Sequence, residues 1–400
     1  MTEEKFIIYG AEARARPPWP WRQRTLFHLK EQIHGLLDKR QFSHGNSARL
    51  DYRHYRGPDC INWGDVAISQ SVGAFIAPSA KPSLQYFNWG ELNTLPPPCT
   101  NTQETIVFAG SGYFFIESNR RLAPRIADDL HILERRGGRA LFLGVGINLP
   151  SANDQTPPSA LHPQDEKLVC RLLARAVGVS VRDTLTQQIL QQSTNQPIQL
   201  TGDPALHFHS LLQSQIQQGQ KTEKRGKPII GINLAFHGME TTVLLQRNIE
   251  SYAAVLKKLQ DATHCEFRYF VHFGTEHILP KLLAARGIRM KVCAGDTVDL
   301  ARGYAKLDLH IGGMLHSCIL ATSAGTPCLG LAYDIKHQGF FDLMGLSEHC
   351  LSAFHFDPDQ LYVRALALLA DPAPVRAQIS ARRDTLQAAT LDFLRHTLLT

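Results

Sequence analysis

Clustered cysteine is missing from this 400-residue chain. Its eight cysteines (Cys60, Cys99, Cys170, Cys265, Cys293, Cys318, Cys328 and Cys350) form no CxxC pair and have no CxxxH companion. That excludes a zinc ribbon or finger and a disulfide-stapled scaffold, and leaves reduced, mostly buried thiols. A surplus of one charge is lacking too. Lys and Arg number 42 against 36 Asp and Glu, and the signs are interspersed, as in EKLVCRLLARAVGVSVRD. The formal net charge of +6 supports weak attraction for anionic substrates and no nucleic-acid stripe. No window of eighteen residues is free of polar groups; the longest apolar region, 310–337, is broken by His316, Ser317 and Ser323. No transmembrane segment is expected. The opening MTEEKFIIYG starts acidic and has no apolar run before a small-residue cleavage site, so no signal peptide is expected and a cytoplasmic location is. There is no GxxxxGK[ST], and Gly110-Ser111-Gly112 runs into Tyr113-Phe114-Phe115 rather than completing a GxGxxG. Walker-type and nicotinamide binding therefore lack support. Nothing in the chain points to a metal or a resident cofactor.

What is present is a soluble globular composition, 44% hydrophobic and 20% charged, long enough for two domains. The first sixty residues are irregular: PPWPW is turn-rich, and RTLFHLKEQIHGLLDKR places Leu26, Leu29, Ile33, Leu36 and Leu37 at helical spacing. From Asn62 onward short apolar strands alternate with helices of ten or more residues, the pattern of parallel βα units. The strands are apolar throughout, as strands covered on both faces are. A polar stretch, QSQIQQGQKTEKRGKP, interrupts the alternation, which then restarts. The expected organisation is an extension over 1–60 packed on the first domain, a Rossmann-like domain over 61–212 and a linker over 213–228. A second Rossmann-like domain over 229–357 and a helical tail over 358–400, able to reach back to the first domain, complete it. The fold class is thus α/β, with two parallel-sheet domains facing a central cleft.

Ligands of open parallel sheets bind at the carboxyl ends of the strands, so the strand exits hold the candidate residues. In the first domain these are Asn62, Gly64 and Asp65, then Gly110 and Gly112, then Arg182 before Asp183. Glycines there let a ligand approach backbone amides, and an arginine is a planar donor suited to carboxylate or phosphate. In the second domain HIGGMLHSCILATSAGTPCLGLAYDIKH reads as strand, glycine turn, helix, strand and charged exit. Gly312 and Gly313 close a strand, and Met314, Leu315, His316 and Ser317 open a helix whose free N–H groups favour an anion. His316 is placed to exchange a proton, and Lys336 to add a fixed cation.

In this order the segments resemble the polysaccharide pyruvyl transferases, whose members look like two-domain GT-B proteins. NWGDVAISQSV is similar to that family's Asn-x-Gly-Asp segment, GSGYF and LGVGIN to its glycine-rich strand exits. VSVRDTLTQQIL resembles its Arg-Asp stretch, with Thr186 where serine is usual, and TGDPAL its Asp-Pro-Ala segment. DLHIGGMLHSCILATSAGTPCLGLAYDIKHQGFFDLMGL resembles its Arg-Leu-His, Gly-x-Pro and Tyr-Asp-x-Lys series, except that Met314 stands where arginine is usual. The resemblance runs from Asn62 to Leu346. It implies transfer of a pyruvyl group from phosphoenolpyruvate to two hydroxyls of one sugar, with no further cofactor. His316 would be the acid/base and Arg182 and Lys336 the anion clamps, with Gly312, Gly313, Leu315 and Ser317 beside the donor. Asn62, Gly64, Asp65, Gly110 and Gly112 would lie on the acceptor side. The acceptor would be a sugar of a surface polysaccharide or a lipid-linked oligosaccharide precursor, with peripheral membrane association open and the oligomeric state not specified. Two other readings stand beside this one. In the first, a GT-B glycosyltransferase grips a nucleotide sugar's pyrophosphate with His316 and Lys336, and Asp65 or His316 serves as acceptor base. In the second, the chain is a non-catalytic binder of the same fold.

Overall fold

The computed structural model of the protein describes residues 3–14, 21–42, 50–57, 60–78, 84–98, 102–149, 158–217 and 226–398. The first lobe carries strands β1 (Glu3–Gly10), β2 (Leu84–Asn88), β3 (Thr102–Ala109), β4 (Phe114–Phe115), β5 (Arg139–Val145), β6 (Ile147–Asn148), β7 (Ala176–Val181) and β8 (Ile198–Leu200). Six of them form a parallel sheet in the order β2-β1-β3-β5-β7-β8, and β4 and β6 pair separately at its exit edge. The second lobe repeats the plan with β9 (Ile229–Asn233), β10 (Glu266–Phe270), β11 (Lys291–Cys293), β12 (Leu309–Gly312), β13 (Cys328–Ala332) and β14 (Cys350–Ser352). These six are also all parallel, in the order β11-β10-β9-β12-β13-β14. Two parallel sheets with helical crossovers are the expected α/β architecture.

The expected extension over 1–60 divides differently. Glu3–Gly10 is an interior strand of the first sheet, paired with β2 on one side and β3 on the other. Its apolar core is only Phe6-Ile7-Ile8-Tyr9, all buried, and β2 carries a Gln inside it, so neither strand stands out in the sequence. Ala13 and Arg14 stay with the first lobe, their amides donating to Asn88 Oδ1, whereas the described residues from Trp21 on pack on the second lobe. Leu50 and Tyr55 join its core, the Leu50 carbonyl accepts from Gln246, and the helix Trp21–Phe42 lies near Ile278. The proline-rich stretch 17–20 lies outside the described residues.

The expected linker begins as structure: Gln213–Gln217 is helical, Ile216 is buried, and Arg302 donates to the carbonyls of Gln215 and Ile216. Residues 218–225 lie outside the described ones. The tail is two helices, Pro358–Ala370 on the second lobe and Ala373–Leu398 crossing to the first, where Phe393 and Thr397 meet Gly178 and Leu386 meets Gly202. The described cysteines are free thiols; Cys318 and Cys328 are buried and Cys170 is exposed.

The lobes share one apolar core where the helix Trp63–Ile76 meets the helix Leu315–Ser323: Ile68, Val72 and Phe75 pack in the cluster that holds Leu315, Ile319 and Leu320. Burying such side chains contributes about 1.5–3 kcal/mol each, so this seam is strong. Polar contacts reinforce it: the Trp63 amide donates to the His272 carbonyl (3.1 Å) and Thr297 Oγ1 to Gln70 Oε1 (2.7 Å). Among the described residues no helix is long and apolar enough to cross a membrane.

Candidate active site

A cavity of about 450 Å³ opens between the lobes, where the strand exits of both sheets meet. Seven of the residues singled out from sequence line it: Asn62, Asp65, Gly112 and Arg182 from the first lobe, Leu315, His316 and Lys336 from the second.

Asp65 sits in the first turn of the Trp63–Ile76 helix, where the partial positive charge suits a carboxylate. Asn62 caps that helix, accepting from the Gly64 amide (3.1 Å), and its Nδ2 donates to Asp65 Oδ2 (2.6 Å). Ser111 Oγ donates to Asp65 Oδ1 (2.9 Å). Burial nonetheless raises the Asp65 pKa above the ordinary carboxylate value, against the pull of these hydrogen bonds and of Lys336 and Arg182.

Arg182 leaves β7 and turns back over the β5 exit. Its Nη2 donates to the Ile147 carbonyl (3.2 Å) and Asn148 Oδ1 (3.3 Å), and its Nε to Asp183 Oδ2 (3.3 Å). Only glycine fits beneath it: a Cβ on Gly146 would lie 2.1 Å from Arg182 Nε. The side chain is 5% exposed, so its charge faces the cavity through little intervening water.

His316 enters from the second lobe on the first turn of the Leu315–Ser323 helix. Its ring rests on Gly64, where a Cβ would stand 2.1 Å from Nδ1, so the Asn-x-Gly-Asp turn and the histidine fit only as a pair. His316 Nε2 lies 3.9 Å from Asp203 Oδ2, and neither atom has a hydrogen-bond partner among the described residues. Burial, with Arg182 and Lys336 nearby, lowers the His316 pKa well below the ordinary imidazole value. Burial raises Asp203 to about 6, partly offset by Arg182 and by the Ala205 amide bound to its Oδ1 (3.0 Å). Lys336, in the first turn of the helix Ile335–Leu343, pairs with Asp334 (3.3 Å) and lies over the Tyr333 ring. Burial works against the ammonium, but Asp334 and Tyr333 outweigh it and the Lys336 pKa rises.

Five singled-out residues are not among the cavity's described lining. Ser317 is fully buried, with Oγ donating to the Met314 carbonyl (2.7 Å) and paired with His310 Nε2 (3.1 Å), which leaves it fastening the helix start. Gly313 lies against the Ala235 amide, Gly312 against Ser317 and Cys318, and Gly110, at φ +46°, against Ile68 and Pro204. With Gly64 beneath the imidazole, these glycines allow close packing behind the cavity wall. Met314 stands at the helix start with no side-chain bond to the helix amides; its own amide donates to Asn233 Oδ1 (2.9 Å) and its Sδ accepts from the Tyr333 hydroxyl (4.0 Å).

The sequence reading passed over Trp89, Arg125, Ser111, Asn148, His237, Tyr333 and Asp203. Arg125 and Trp89 form a wall of the first lobe, the guanidinium 4.1 Å above the indole, held by the Tyr113 carbonyl (3.1 Å) and Asp129 (3.3 Å). A third cation therefore lines the cavity although position 314 holds methionine. Burial and Lys336 lower His237 to about 3. The arrangement can bind a small multiply charged anion between Arg182, Lys336 and Arg125 and offers His316 for proton transfer. Among the described residues no group of three or more His, Cys, Asp or Glu side chains is placed to hold a metal ion.

The family model for polysaccharide pyruvyl transferase matches residues 31–335. No curated protein matches the sequence. Among solved structures, the chain is similar to a UDP-GlcNAc 2-epimerase from Neisseria meningitidis bound to UDP-GlcNAc (TM-score 0.48, 10% identity, 97% of this chain and 100% of that one). It is also similar to a UDP-GlcNAc 2-epimerase from Methanocaldococcus jannaschii (TM-score 0.46, 10% identity, 92% and 93%). A third is the E. coli ADP-heptose LPS heptosyltransferase II (TM-score 0.38, 14% identity, 92% and 99%). These likenesses are distant, and the fold stands on its own sheet order and register.

Proposed function

Because this chain belongs to the polysaccharide pyruvyl transferase family, a family of transferases, we propose that it moves a pyruvyl group from phosphoenolpyruvate onto two hydroxyls of one sugar of a polysaccharide or its precursor. The observation that carries the reading is the His316 ring, buried between the lobes, its Nε2 without a hydrogen-bond partner among the described residues, in a cavity whose standing charges include Arg182 and Lys336.

Arg182 and Lys336 receive the donor's carboxylate and phosphate. Burial, and after it the same two cations, depress the imidazole pKa; an anion that neutralises the cations removes their part of the depression and favours proton uptake at His316 as the donor binds. His316 delivers that proton to the methylene carbon, which becomes the methyl group and leaves cationic character on the adjacent carbon. One sugar hydroxyl attacks that carbon and returns a proton to the imidazole. The C–O bond to phosphate breaks, and the second hydroxyl closes the ketal. Of the two hydroxyl protons, one replaces the proton given to carbon and the other leaves with inorganic phosphate. Asp203 Oδ2, 3.9 Å from His316 Nε2, is placed to hold a proton between steps.

The test is incubation of the pure protein with phosphoenolpyruvate and soluble or lipid-linked glycans. The reading expects equal yields of phosphate and pyruvylated sugar, and loss of both in His316→Gln. Turnover of nucleotide sugars, with none of phosphoenolpyruvate, would overturn it.

A further inference from the structure

The helix Trp21–Phe42 is mounted inside out. Leu26, Leu29, Ile33, Leu36 and Leu37 recur at the spacing of a single helical face, the stripe a globular protein ordinarily turns inward. Here each is 49–71% exposed, and Trp21 at the helix start is 72% exposed. The face that meets the rest of the protein is the polar one. Asp38 is buried and accepts from the Tyr55 hydroxyl, His34 stacks on His54 (3.8 Å), and Gly35 rests beside Ile278. Six of the ten large apolar side chains exposed among the described residues belong to this one helix, which makes it an interaction surface rather than scattered surface apolarity.

Charge selects the occupant. Residues 21–42 hold Arg22, Arg24, Lys30, Lys39 and Arg40 against Glu31 and Asp38. Of the two acids, Asp38 is buried against Tyr55 and Glu31 is engaged by His28 (3.3 Å). Arg22 and Lys30 are exposed on the side of the stripe, and Lys39 and Arg40 follow it in the chain. A second copy seated on the stripe about a two-fold axis would bring basic ends together whichever way the helices ran. We propose that this helix docks the protein on an anionic lipid bilayer, its leucines in the acyl boundary, Trp21 at the headgroup level and its basic side chains among the headgroups. This assignment is independent of the reaction at His316.

The test uses the full chain in vesicle sedimentation, comparing pure phosphatidylcholine with a mixture containing phosphatidylglycerol. The expected result is binding to the mixed vesicles, falling steeply with salt, and weak binding to phosphatidylcholine alone. The double variant Leu29→Glu/Ile33→Glu should lose binding by about tenfold or more while its melting temperature holds. Arg22→Ala with Lys30→Ala should flatten the salt dependence. Three outcomes would overturn the proposal: no binding to mixed vesicles at low salt, binding unchanged in the double glutamate variant, or a lipid-free dimer that the same variant dissolves.

Discussion

In the first lobe Asp65 and Arg182 line the cavity, with Asp203 buried 3.9 Å from His316 Nε2; in the second His316 and Lys336 line it, with His237 beside them and His310 and His337 behind. Burial drives the two sets in opposite directions. The carboxyls of Asp65 and Asp203 are raised, the latter to about 6, whereas His237 falls to about 3, His337 to about 4, and His316 well below its ordinary value. Both shifts move groups toward neutrality, because an enclosed site penalises whichever form is charged. The Lys336 ammonium keeps its charge because Asp334 stabilises it against burial. The contrast sets the cavity's cations, Arg182 and Lys336, beside carboxyl and imidazole groups that burial pushes toward their neutral forms.

The largest effect that would break this division is at the imidazole itself. His316→Gln should reduce ketal formation by about 10²–10⁴-fold with little change in phosphoenolpyruvate affinity, read from steady-state rates beside a binding titration. Arg182→Met should do the reverse: donor binding should weaken by about 2–5 kcal/mol by calorimetry, and Arg182→Lys should recover only part, since an ammonium lacks the planar fork. Gly64→Ala tests the fit of the His316 ring on the first lobe's turn. A methyl 2.1 Å from His316 Nδ1 must displace the ring, and turnover should drop by about a hundredfold in a protein that still melts cooperatively.

Smaller in size is the pH dependence of stability. A carboxyl raised from 3.8 to about 6 on folding binds more protons native than unfolded between those values, so stability falls as pH rises through that window and stays lower above it. Asp203→Asn, which keeps an oxygen for the Ala205 amide, should therefore stabilise the protein by about 1–3 kcal/mol near pH 8, have little effect near pH 3, and slow turnover. Smallest is Met314→Arg, which should tighten donor binding by about tenfold or less, because Arg182, Lys336 and Arg125 already line the cavity.

Much of this was legible from residue types alone. From Asn62 onward the alternation of apolar strands and helices gives the two sheets, and looking only at strand exits brings Asp65, Arg182, His316 and Lys336 into one cavity. β1 and β2 were not legible, because four apolar residues after an acidic start and a strand with an internal Gln carry too little periodicity. Trp89 and Tyr333 lie in turns without paired glycines, and Arg125 begins a helix whose pattern announces only its buried side. Asp203 stood in TGDPAL, but nothing in the sequence says that its Oδ2 looks across at an imidazole. The apolar stripe of the Trp21–Phe42 helix was readable as a stripe. Periodicity defines a face; it does not say whether protein or another phase covers it.

A crystal structure of the protein soaked with phosphoenolpyruvate examines the central claim most directly. The account predicts one donor molecule bridging Arg182 and Lys336, its methylene carbon facing His316 Nε2. A donor bound away from the interlobe cavity, or held there with the imidazole turned from it, would contradict the account.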